Sequence, residues 1–108
     1  MKYAYQDEKF STARSSLMLP HTGGEAQSIM HAFHECSLGL RHADRDGLDS
    51  HALDWVRKLE ELMNTDGLED SSGRGLFIIK AEQLSKDEKA EVSRLVNDLA
   101  NWFDRYGG

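Results

Sequence analysis

SKDEKAEVSRLVNDLANWFDRY, residues 85–106, decides the fold class of this chain. Val92, Leu95, Val96, Leu99, Trp102, Phe103 and Tyr106 recur at helical spacing and fall on one stripe. Glu91, Arg94, Asn97, Asp98, Asn101, Asp104 and Arg105 lie outside it. Ser85 followed by Glu88 is a capping-box pattern, and Gly107 and Gly108 end the run. One such helix cannot hold its apolar stripe in water, so the rest of the chain must cover it. That argues a compact helical domain.

Working backwards, two more helices read clearly. One runs over about 24–41, with Ala26, Ile29, Met30, Phe33, Cys36 and Leu40 as its stripe and Thr22 and Glu25 in N-cap and N3 relation. The other runs over about 50–64, capped by Asp49 or Ser50. Ala52, Trp55, Val56, Leu59, Leu62 and Met63 share its face. Asp44-Arg45-Asp46-Gly47 is a turn between them, and residues 64–75 form a polar, Gly-rich loop, the best candidate for a mobile segment. Leu76-Phe77-Ile78-Ile79 is ambiguous. The reading favours a helical element over 76–84, with a short strand paired to residues 2–6 or 15–19 as the alternative. The first twenty residues are least readable: Tyr3, Phe10, Ala13 and Leu17 could share a stripe, but Ser11, Thr12, Ser15 and Ser16 weaken it, and Pro20 stops it. The expectation is one all-α domain over 1–108. It is a small bundle of three main helices plus short N-terminal and 76–84 elements, with a minor β pairing the one variant. Phe33, Ile29, Trp55, Leu59, Leu62, Leu95, Leu99, Trp102 and Phe103 should form its core.

Composition narrows the class. The net charge is −6, and residues 44–70 carry all of it: nine acids against three bases, Arg45, Arg57 and Lys58. The remainder is neutral. An acidic field with no basic cluster repels nucleic acid backbone, so direct nucleic acid binding is not expected. No apolar run approaches a membrane span. The first eight residues show no apolar h-region, and Cys36 is the only cysteine, so no intramolecular disulfide can form and a cytoplasmic setting is expected.

Several residue groups carry side chains capable of chemistry. His31, His34 and Glu35 lie on the polar face of the 24–41 helix, and His31 and Glu35 are i, i+4 neighbours, a spacing that can offer two metal ligands. Such a site is incomplete on one helix and would need oligomerisation or another segment to finish it. The 44–47 turn resembles part of an EF-hand loop, but His42 and Leu53 stand where its strongest carboxylate ligands belong. Ser71-Ser72-Gly73-Arg74-Gly75 lacks the ending of a phosphate loop. Cys36 projects away from the histidines, so no catalytic dyad arises, and no cofactor is implied.

The expected function is a non-catalytic protein that binds another macromolecule as a regulator, inhibitor or adaptor, using segment 44–70 against a basic partner surface. Asp44, Asp46, Asp49, Asp66, Glu69 and Asp70 should carry the contact, because turns and loops leave them free to face outward. Leu38 and Leu53 lie about 140° and about 120° off their helices' core stripes. They hint at a second contact surface, for a protein partner or a homo-oligomer. The alternative is a metal-binding protein built on His31, His34 and Glu35.

Overall fold

The computed structural model describes residues 2–18, 21, 23–71 and 73–107. Five α-helices follow in order: α1 (Ala4–Ser16), α2 (Glu25–Arg41), α3 (Ser50–Met63), α4 (Leu76–Gln83) and α5 (Lys86–Gly107). A short 3-10 turn, Arg45–Gly47, lies before α3. The described residues form no strand, so the minor β pairing is corrected. The 76–79 block instead opens α4, which closes at Leu84, just before the cap of α5.

Local signals explain most boundaries. Ser85 and Glu88 form the reciprocal box: the Ser85 amide donates to Glu88 Oε1 at 2.8 Å, and the Glu88 amide to Ser85 Oγ at 3.1 Å. Asp49 caps α3 by accepting from the Ala52 amide at 2.8 Å. α2 starts without a side-chain cap, after Gly24 at φ 96°, a conformation glycine adopts without strain. Thr22, half of the expected capping relation there, lies outside the described residues. Glu25 reaches α5 instead, where Lys89 Nζ stands 2.8 Å away.

The largest departure from expectation is α1. It is a full helix that packs extensively on both α2 and α5. Its inner face is Gln6, Phe10 and Ala13, all buried, with Tyr3 just ahead of it. Its weak helix formers are accommodated: the Thr12 hydroxyl donates to the Glu8 carbonyl and the Ser16 hydroxyl to the Thr12 carbonyl. Gln6 is a buried polar group with a partner, donating to the Gly39 carbonyl at 3.1 Å. Gly39 is the point of closest approach. A Cβ there would stand 3.3 Å from both Lys9 Cβ and Phe10 Cε2. A glycine inside a helix costs about 1 kcal/mol against alanine, and the tight α1–α2 crossing is what it permits here.

One cluster of buried side chains draws on all five helices, with Phe10, Phe33, Phe103, Leu59, Leu95 and Leu99 its largest fully enclosed members. The Phe10 and Phe103 rings stand 5.1 Å apart. Ile29 is also buried, as expected. Trp55, Leu62 and Trp102 are corrected: they pack against the core from its edge and stay half-buried. Helical periodicity gives a side chain's direction but not its depth, and these three sit at the borders of their stripes. α3 leans on α5, and α4 on α2.

Candidate functional site

The acidic segment is divided by the fold. Asp44, Asp46 and Asp49 precede α3. Asp66, Glu69 and Asp70 follow it, beyond a helix about 21 Å long at 1.5 Å per residue. Three of the expected contact residues are engaged internally. Asp44 pairs with Lys2 at 2.9 Å and accepts the Asp46 amide at 3.0 Å. The Lys2 hydrogen bond, then the Asp46 amide, holds its carboxyl below the usual range. Asp49 Oδ1 caps α3 while Oδ2 accepts the Trp102 indole N–H at 3.1 Å. The Ala52 amide, then that indole, lowers its pKa. Asp70 gathers the amides of Arg74 (2.9 Å) and Gly75 (2.7 Å), which fastens the 64–75 loop to the start of α4.

The three bases of the segment are also spent within it. Arg45 makes a bidentate contact to Glu60 at 2.9 and 2.8 Å. Arg57 and Lys58 flank Asp54 at 3.9 and 3.1 Å. The carboxylates of Asp46, Glu61, Asp66 and Glu69 are left exposed, with no ion pair or accepted hydrogen bond among the described residues. Glu61 sits in the last turn of α3, which holds no base. The partial negative charge of a helix C-terminus therefore adds to the carboxylates beside it. Nothing in the sequence singles out Glu61, because it stands beside Glu60 on a charged helix face. The spacing of Arg45 and Glu60 across a turn carried no local signal of their pairing.

The histidine face is split between neighbours. Glu35 turns toward α1, 3.4 Å from Lys9 Nζ. His34 turns toward α4, its ring edge-on to Phe77 at 5.0 Å. His31 is exposed. Among the described residues no three histidine, cysteine, aspartate or glutamate side chains converge as a metal-holding group. Cys36 is fully enclosed, and burial pushes its thiol pKa far up, so it is neither nucleophile nor ligand at neutral pH.

Leu53 is half-buried and packs against the core, and Leu38 is half-buried. Among the described residues, the large apolar side chains that do reach the surface are Tyr5, Met18, Leu76 and Tyr106. Three of these border grooves, and those of Tyr106 and Leu76 are the ones walled by large apolar side chains. Between α3 and α5, Trp55, Trp102 and Tyr106 line a groove of about 420 Å³ rimmed by Asp49, His51 and Asp98. Between α2 and α4, Met30, His34, Leu76, Phe77 and Ile78 line one of about 300 Å³, with Thr65 at its lip. A signal for the second groove was present in the sequence. Four consecutive large apolar residues point around most of a helix circumference, so they cannot all face one neighbour.

No helix among the described residues is long and apolar enough to cross a membrane. Comparison with protein-family models, with curated proteins and with solved structures finds no match.

Proposed function

We propose that this chain is a non-catalytic protein that binds another macromolecule, as a regulator, inhibitor or adaptor, and that it meets a basic partner surface with segment 44–70. One observation supports this reading above the rest. The bases of the segment are already paired, while Asp46, Glu61, Asp66 and Glu69 face solvent without a salt bridge among the described residues. Uncompensated charge on a rigid scaffold raises the encounter rate with an opposite surface and repels nucleic acid. The expected contact set accordingly shifts. Asp44 and Asp49 serve the fold as well as the surface, and Glu61 joins Asp46, Asp66 and Glu69. A cytoplasmic setting stays part of the proposal. The alternative, a metal site on His31, His34 and Glu35, is the weaker reading, since Glu35 already faces Lys9 and His34 faces Phe77.

The test is a capture experiment with the immobilised chain and its D46N/E61Q/D66N/E69Q variant, followed by kinetics with the purified captured protein. The expected result is association slowed about tenfold in the variant at low salt, with the gap closing at high salt. Equal association rates for the two proteins at low salt would overturn the reading.

A further inference from the structure

α4 is apolar beyond what the fold uses. Of its eight residues only Ala81 is buried. Leu76 is 38% exposed, and Phe77, Ile78 and Ile79 are half-buried, as is Met30 on the adjoining face of α2. Together they leave an apolar strip along the α2–α4 groove.

An acidic stretch adjoins that groove. Thr65 lines its lip, and Asp70 is fastened to the amides at the start of α4. Residues 66–69 connect these two points, so the exposed Asp66 and Glu69 lie on a short stretch tied at both ends to the groove's border. Arg74, the one lining residue with a full positive charge, is neutralised by a bidentate contact to Glu82 at 3.1 and 2.6 Å. An apolar floor thus lies beside a negative rim.

We infer that this groove docks an amphipathic helix of a partner protein, its apolar face on Leu76, Ile78 and Met30 and its flanking lysines or arginines against Asp66 and Glu69. The inference rests on the proposed acidic contact and assigns it a place and a partner chemistry. Charge selects this occupant over others. A second copy of the chain would bring two acidic rims together, and an anionic lipid surface would meet the same repulsion. A helix laid in a groove, anchored at i, i+3, i+4 and i+7, matches both the strip and the rim.

The probe is a labelled synthetic helical peptide of about 18 residues with leucine at the anchor spacing and lysine elsewhere. It is titrated into the full chain at low and moderate salt and followed by fluorescence anisotropy. Saturable binding is expected, weakened about tenfold by Leu76→Ser and retained by Leu76→Met. D66N/E69Q should weaken it at low salt only. A counterpart peptide with glutamate in place of lysine should not bind. Leu76 is exposed, so its replacement leaves the fold intact, and a thermal melt of each variant verifies that. Met30→Ser gives a second, independent reading of the same face.

If both apolar variants bind as the parent does while D66N/E69Q weakens binding, the groove is wrong and the acidic contact stands. If none of the variants changes affinity, both fail, as they do if the peptide is not bound at all. Concentration-dependent dimerisation that Leu76→Ser abolishes would make a second copy the occupant and overturn the assignment.

Discussion

The Trp102 indole donates to Asp49 Oδ2 at 3.1 Å while the other oxygen of the same carboxylate caps α3. A single side chain thereby fixes where α3 begins and where it meets α5. Asp49→Ala should remove both contacts and lower the thermal midpoint more than Asp46→Ala, whose carboxylate accepts no hydrogen bond among the described residues. Asp49→Asn should fall between them, because asparagine still caps. Equal midpoints for the two alanine variants would show that the shared carboxylate is not structural.

The Tyr3 hydroxyl donates to the Asp44 carbonyl at 2.6 Å, and a Cβ on Gly47 would land on that hydroxyl. Tyr3→Phe should cost about 1 kcal/mol, the ordinary worth of one such bond. Gly47→Ala should be destabilising alone and much less so on the Tyr3→Phe background, where the oxygen is gone. Urea denaturation of the four proteins closes the cycle. Strict additivity would mean the hydroxyl and Gly47 are not in contact.

Phe10, Leu99 and Phe103 are fully buried, so truncation should be severe: about 3–5 kcal/mol for Phe10→Ala or Phe103→Ala and about 2–5 kcal/mol for Leu99→Ala. Asn101→Ala removes only an exposed hydrogen bond from Arg14 and should hardly move the midpoint. A mild effect at Phe10 alone would show that α1 is peripheral rather than part of the core.

Several carboxyls are held below their ordinary range, among them Glu25 by Lys89, Glu82 by Arg74, Asp44 by Lys2, Asp49 by the Ala52 amide and Glu88 by the Ser85 amide. Their folded forms bind fewer protons than their unfolded forms. The stability they add is complete above the unfolded carboxyl range, near pH ~4, and is lost as pH falls through the lower folded values. Urea midpoints should therefore decline on the acid side. Glu88→Gln keeps the cap's acceptor while removing its titration, so its acid limb should be shallower than the parent's. An identical limb would exclude that capping box from the acid transition.

Three helices were legible because each carries its own stripe, and two of them, α3 and α5, also carry their own cap. Asp49 and Ser85 announce their helices within four residues. α1 was half legible: the stripe of Tyr3, Phe10, Ala13 and Leu17 does face the core, but its inner face also includes a buried glutamine and its stability comes from Gly39 and Phe103, which lie far along the chain. The site shows the same division. The acid excess of 44–70 is plain from composition. The loss of Asp44 to Lys2 and of Asp49 to Trp102 depends on partners more than 40 residues away, which no local spacing reveals.

The sealed Cys36 thiol gives the molecule an internal clock. It is the chain's only thiol, and it lies on α2 in the same cluster that joins all five helices. A thiol reagent can reach it only when that cluster opens. Its alkylation rate under native conditions therefore times the opening of the bundle from a single site, with no added label.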